Sequence, residues 1–361
     1  MERKEFFAER EANYDLLRII STIAVIILHV SAIFLNAVTD DTIFGEIYTK
    51  NIFVIVVYNT LSRFAVPCFM MISGAFLLSE KRNMDYKFFY KKALYNLGVP
   101  TIIFSVLFFV FSEVMSVRTL MGGGSFEILL QPVKDVVKGV PYYHLWYMYT
   151  LLVVYLFIPV IVRVKSDMNK KTFQRLCLIS LAITTISGWT SSFELNWSVS
   201  KAICYIGYIM IGYQVRTYFI QKKNNKKAIV YLLLGIALEV LLAYIRFSCD
   251  GAKPGIDEKY AVVGNFNPLI VLSSVLIFMG VSQMELKTKK LKRIASNTFL
   301  IYLFHAGVIT VLSPVIKQLD RMSFDCRIII PVFVVIVFVV SLILANLYHY
   351  LHHCWRIKSI Q

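Results

Sequence analysis

Charge is scarce in this chain, and so are the patterns that cysteine chemistry needs. Only 17% of the 361 residues are Asp, Glu, Lys or Arg and 58% are apolar, far from the roughly 25% charged and 45–50% apolar of an average soluble domain. That balance excludes an ordinary soluble fold and marks an integral membrane protein. The six cysteines, Cys68, Cys177, Cys204, Cys249, Cys326 and Cys354, form no CxxC pair and no cluster with histidine at zinc spacing, so metal and redox chemistry find no support. Also missing are a repeat of 20–50 residues, a low-complexity tract and a linker between globular units, so residues 1–361 read as one domain. Residues 1–14 carry seven charges and run into an apolar stretch without a small-residue cleavage site, so the segment is expected to be retained. Acidic side chains are the rarer sign, 22 against 38 Lys and Arg, for a net charge of +16. On a membrane chain such an excess belongs to basic cytoplasmic loops, and no nucleic-acid partner is expected.

What is present is a series of long apolar runs. A bilayer crossing takes about 20 mostly apolar residues, and ten stretches qualify: 15–37, 52–79, 93–115, 144–164, 176–192, 199–220, 228–247, 267–285, 294–316 and 328–351. The expected fold class is therefore all-α, a polytopic membrane protein of about ten helices. With the N-terminus in the cytoplasm, 23 of the Lys and Arg residues fall on the inner side and 10 on the outer, while Arg18, Arg63, Arg163, Arg216 and Arg246 lie within spans. The bias orients both termini to the cytoplasm. The external breaks 116–143 and 248–266 are too short for a folded domain. Cys249 and Cys326 fall in external loops, either as a disulfide or as two unrelated thiols.

A polar side chain inside the hydrocarbon costs several kcal/mol unless it is paired or faces water, so each is a functional candidate. Arg18 and His29 are eleven residues apart in the first span, which places them within about 20° of each other on a helix, and Asp15 lies on the same side. Arg18 then sits near the cytoplasmic mouth and His29 roughly 16 Å deeper, at about 1.5 Å per residue. A lone buried histidine serves structure as well as chemistry, and both readings stand. Arg63, in the second span, shares a face with Asn59, Pro67, Met70 and Gly74, of which Pro67 is expected to kink the helix and Gly74 to allow close helix contact. It needs a polar partner or a water-filled cavity, and a buried ion pair between helices is the competing reading. His144 and Trp146 open the fourth span, where an interfacial aromatic belt would also account for them. Thr298, Tyr302 and His305 share one face of the ninth span, a stripe that interhelical hydrogen bonding would equally explain.

In order along the chain stand Asp15, Arg18 and His29; the segment from Ser62 through Arg63 and Pro67 to Gly74; Tyr143-His144-Leu145-Trp146-Tyr147; and Tyr302-Leu303-Phe304-His305. Together they resemble the landmarks of the acyltransferase-3 family of bacterial membrane O-acyltransferases, from about Tyr14 to Leu347. The Arg18 to His29 spacing is similar to the family's Arg-ten-His motif. The nearest likeness is to the short, purely membrane-embedded members related to the O-acetyltransferase of enterobacterial common antigen. One departure stands out: where many longer members carry Arg-x-x-Arg, this chain has Tyr90-Lys91-Lys92-Ala93-Leu94-Tyr95-Asn96. Lysine offers phosphate a point charge without the bidentate fork of arginine.

The resemblance implies an acyl-CoA donor, most simply acetyl-CoA, arriving from the cytoplasm, and a glycan or lipid-linked sugar as acceptor, in the bacterial cytoplasmic (inner) membrane. Membrane lipid is a further partner, a homo-oligomer stays open, and no metal cofactor is expected. On this reading Arg18, Lys91 and Lys92 hold the donor's phosphates, His29 is the general base, and Arg63 stabilises the oxyanion or holds the acceptor. His144, Trp146, Tyr302 and His305 line the acceptor site. Asp15, about 21 Å from His29 along the helix at 1.5 Å per residue, is structural and cannot orient its ring. A glycan exporter with intramembrane Arg and His is the rival reading.

Overall fold

The computed structural model describes residues 11–40, 45–121, 133–135, 142–187, 198–220, 222–250, 264–286, 290–321 and 325–358. Every regular element among the described residues is helical. Seven helical stretches among them are long and apolar enough to cross a membrane: Ala12–Leu35, Ile52–Leu77, Tyr86–Val114, Trp146–Asp167, Asn225–Ser248, Leu291–Ile316 and Cys326–Leu351. The expected spans at 176–192, 199–220 and 267–285 do not reach that standard. The last is the helix Pro268–Gln283, apolar but only 16 residues long, about 24 Å at 1.5 Å per residue. Of the other two, Lys170–Ser187 begins with Lys170, Lys171 and Arg175, and Ser198–Gln214 has 17 residues. Residues 188–192 of the fifth expected span, and most of both external breaks, lie outside the described residues.

The helix α1 (Ala12–Asp40) lies at the centre of the packing. It contacts α2 (Gly45–Thr60), α3 (Ala65–Leu77), α10 (Pro268–Gln283), α11 (Leu291–Arg321) and α12 (Cys326–Lys358). Its buried side chains include Tyr14, Leu17, Ile26, Val30 and Phe34, while Asp15, Thr22 and Ser31 are polar and equally enclosed. A helix apolar on most sides yet carrying one polar stripe is therefore wrapped by protein. Between the others run α4 (Tyr86–Ala93), α5 (Val99–Met121), α6 (Trp146–Asp167), α7 (Lys170–Ser187), α8 (Ser198–Gln214) and α9 (Asn225–Asp250). The Cys326 side chain is buried at the start of α12, and that of Cys249 lies outside the described residues.

The second expected span is broken. Residues 61–64 form a turn between α2 and α3, and Pro67 stands in the first turn of α3. Proline has no N–H to give the carbonyl four residues earlier, here that of Arg63, and its ring crowds that carbonyl, so the ladder fails there. What reads as a kinking proline in mid-span is the start of a new helix. Beyond it, α3 crosses α8 with glycine at the contact on each side: a Cβ on Gly74 would overlap the Ile209 backbone, and one on Gly212 the Met71 backbone. Small residues that let backbones meet are the usual way to join helices without a hydrophobic driving force.

The carbonyls that end α3 are met by side chains from three places. Asn83 Nδ2 donates to the Leu77 oxygen at 2.8 Å, Lys165 Nζ of α6 to that of Leu78, and Arg216 Nη1 to that of Ala75 at 3.0 Å. Orphan carbonyls and the negative end of the helix dipole both favour cations here. At the start of α1, Asn13 Nδ2 likewise donates to the carbonyls of Val281 and Ser282 at the end of α10.

Candidate active site

Three histidines from three separate segments meet beside α1. His29 of α1 has its ring centroid 5.3 Å from that of His305 on α11, and His305 is 5.3 Å from His144, which lies in the turn before α6. His144 and His305 are each 0% exposed, whereas His29 keeps part of its surface accessible. The turn that carries His144 is fastened to one face of α11. Tyr302 Oη donates to the His144 carbonyl at 2.5 Å, Tyr142 Oη and Thr310 Oγ1 lie 2.5 Å apart, and Tyr143 Oη donates to the Ala306 carbonyl at 3.4 Å. Aromatic rings close the surroundings: Tyr143 is 5.1 Å from His29, and Phe108 of α5 is 4.9 Å from His144. His144 is thus enclosed by protein on all sides. The stripe of Thr298, Tyr302 and His305 is buried, and two of its members meet the other histidines: His305 lies against His29 and His144, and Tyr302 against His144. Trp146 points elsewhere, against Tyr147 at 6.1 Å and Tyr205 of α8 at 6.3 Å.

Arg63 stands at the break between α2 and α3, where the turn frees its side chain from a helical face. Its Nη2 donates to Asn59 Oδ1 at 2.8 Å, and its charge acts on His29 through space. Asn59 ties the two regions together, since its Nδ2 donates to the Leu28 carbonyl at 3.3 Å and to Ser31 Oγ at 3.2 Å, on either side of His29. The same Asn59 oxygen also accepts from Arg246 Nη1 of α9 at 2.9 Å. About two helix turns earlier on α9, the buried Glu239 accepts from Ser273 Oγ at 2.6 Å, within the electrostatic reach of Arg63. Both α9 residues escaped the sequence reading. Arg246 was visible there only as one of five arginines inside spans, and Glu239 as a carboxylate alone in an apolar run, a signal by the cost of burying charge.

At the other end of the α1 stripe the chemistry is ionic. Arg18 Nη1 pairs with Asp15 Oδ1 at 2.7 Å, and Thr22 Oγ1 donates to the Arg18 carbonyl at 2.8 Å. The guanidinium groups of Arg18 and Arg216 lie 5.3 and 4.4 Å from the Phe76 ring, within cation–π range. Arg216, carried on the π-helical turn Val215–Phe219, pairs with Glu11 at 2.9 Å, and Lys223 reaches the same carboxylate at 3.5 Å. Lys91 and Lys92 are exposed on α4, whose Tyr90 Oη donates to the Leu156 carbonyl of α6. Lys92 lies 5.8 Å from the Phe88 ring of its own helix. Arg216 was missed as a neighbour of Arg18, because 198 residues separate them and they meet only in the folded chain, around Phe76.

Among the described residues no group of three or more His, Cys, Asp or Glu side chains is arranged to hold a metal ion. The arrangement supplies instead a histidine that is only partly enclosed as a residue, two fully enclosed histidines against it, and a guanidinium whose charge acts on it. A base next to a fixed positive charge is a set suited to deprotonating a hydroxyl and stabilising an oxyanion. A family model described as an acyltransferase domain matches residues 11–349. Comparison with curated proteins and with solved structures returned no match.

Proposed function

The chain belongs to the acyltransferase-3 family, and from that premise we propose that it moves an acetyl group from acetyl-CoA to a hydroxyl of a cell-surface glycan or its lipid-linked precursor. His29 is the base. The observation that carries this reading is the convergence of His29, His144 and His305, of which His29 alone keeps partial exposure as a residue. His29 takes the proton of the acceptor hydroxyl as its oxygen attacks the thioester carbonyl. Arg63 steadies the oxyanion that develops, and the C–S bond then breaks, with the thiolate leaving and the proton returning to sulfur. Each such element is strongest in a site closed to water, where charge is poorly screened.

The donor's phosphates lie at the Arg18 end of the stripe with Arg216 as a further cation, and Lys91 and Lys92 on the exposed face of α4 meet the nucleotide outside it. His144, Tyr302 and His305 shape the acceptor side. The chain crosses the cytoplasmic membrane ten times with both termini inside, its short helices completing the count, and its substrate resembles that of the enterobacterial common antigen O-acetyltransferase. The test is thiol release from acetyl-CoA by membranes bearing the protein. Release that depends on His29 supports the proposal, and equal release by His29→Ala overturns it. Glycan flux without thioester consumption would favour an exporter.

A further inference from the structure

We propose that Asn59 is a positioning residue for Arg63: its neutral amide aims the guanidinium at the α1 segment around His29 without adding a negative charge, so that the positive charge keeps its strength for an oxyanion. In its catalytic part this rests on the function proposed above.

Arg63 needs such a holder because its backbone does not supply one. The helix α2 ends at Thr60, residues 61–64 form a turn, and the Arg63 N–H donates to the Thr60 carbonyl at 3.0 Å. Outside a helix no regular run of neighbours fixes the direction of a side chain, and arginine has more rotamer freedom to lose than most residues. Nη2 of Arg63 nevertheless donates to Asn59 Oδ1 at 2.8 Å, four residues back in the last turn of α2.

The amide itself is fixed from four directions. Its Nδ2 donates to the Leu28 carbonyl at 3.3 Å and to Ser31 Oγ at 3.2 Å, and its Oδ1 accepts from Arg63 and, at 2.9 Å, from Arg246 Nη1 of α9. Two donated and two accepted hydrogen bonds are the full capacity of a side-chain amide. The partners also exclude the flipped amide: a carbonyl only accepts and a guanidinium only donates, while the Ser31 hydroxyl gives its own proton to the Leu28 carbonyl at 3.0 Å. Leu28 and Ser31 stand on either side of His29 in α1, so the group that aims Arg63 is bonded on both sides of the base. Aspartate in this place would keep an oxygen for the two arginines. It would also set its second oxygen against the Leu28 carbonyl and put a negative charge directly on Arg63. The buried carboxylate whose field reaches Arg63, that of Glu239, has its Oε1 engaged by Ser273 Oγ at 2.6 Å and acts across space. Asn59 is 2% exposed, and where charge is poorly screened the difference between an amide and a carboxylate contact is large.

A polar link between helices could also serve packing alone, and two measurements separate the roles. Nitrogen NMR of the full-length protein with labelled arginine, in lipid nanodiscs, reads the hold on Arg63, since a guanidinium kept in hydrogen bonds rotates slowly and shows its two Nη signals apart. Arg63→Lys identifies the signals of Arg63. Expected are separate Nη signals in the wild type and merged ones in Asn59→Leu. Merged signals in the wild type overturn the proposal without any variant, and so do separate ones in Asn59→Leu. The second measurement is the thiol-release assay with Asn59→Asp, which retains both arginine contacts, so that a packing role predicts wild-type turnover. Expected instead is turnover per folded molecule lower by roughly 10- to 100-fold with the KM for acetyl-CoA unchanged. Wild-type turnover there overturns the proposal, as does a loss carried by a raised KM. Because the nitrogen signals are read without acyl transfer, failure of the protein to consume acetyl-CoA would defeat the proposed function and still leave the hold of Asn59 on Arg63 decided.

Discussion

In its first turns α1 keeps its charges in pairs, with Arg18 on Asp15 at 2.7 Å and Arg216 and Lys223 on Glu11 close by. Three turns deeper the same stripe meets uncharged imidazoles and phenols instead, and a single guanidinium, that of Arg63, acts on His29. The difference follows from access to water. Arg18 and Glu11 retain about a quarter of their side-chain exposure, so ions there stay partly solvated. His144 and His305 have none, and neutral rings are what an enclosed site tolerates. On the proposed function, one end holds the charged donor and the other acts on a neutral hydroxyl.

Four variants test the two ends and the packing that holds them apart. The largest effect belongs to His29→Ala, which should reduce turnover at least ~100-fold, about 2.7 kcal/mol in the barrier, while acetyl-CoA binding persists. Near wild-type turnover would move the base to His144 or His305. Next comes Gly212→Leu, which drives a side chain into the Met71 backbone and should cost about 1–3 kcal/mol or more, read as a lower thermal unfolding midpoint. Gly212→Ala should cost less. An unchanged midpoint would mean that α3 and α8 do not cross here. Third, Arg18→Ala should raise the KM for acetyl-CoA roughly 3- to 10-fold and flatten its salt dependence with little change in kcat. An effect on kcat alone would erase the division between the two ends. Smallest is Arg163→Ala, which removes an ion pair to Asp167 in which both side chains are about two-thirds exposed. It should leave the unfolding midpoint within about 0.5 kcal/mol of wild type.

Much of this was legible along single helices. Periodicity alone put Asp15, Arg18 and His29 on one side of α1, and Thr298, Tyr302 and His305 on one face of α11, because a helix fixes the direction of every side chain from its neighbours. Gly74 was recognisable as a site of close approach, and Pro67 as a disturbance, though not as the first turn of a separate helix. What single helices cannot report is which of them touch. The meeting of His29 with His305 spans 276 positions, and that of Arg63 with Arg246 through Asn59 spans α2 and α9. Helix length was the other gap. Hydropathy registers apolar content, and α10 has it over only 16 residues.

The caps on α3 have a metric consequence. That helix has 13 residues, about 20 Å at 1.5 Å per residue, and it is anchored at one end by Asn83, Lys165 and Arg216 while the turn bearing Arg63 begins at the other. Such a strut is a ruler between the two chemistries. Deleting one residue from it would shorten the interval by only about 1.5 Å but swing everything beyond by about 100°, so Gly74 and Arg63 could no longer both face their partners. A one-residue deletion within α3 thus disturbs both of its ends, whatever residues are chosen to fill it.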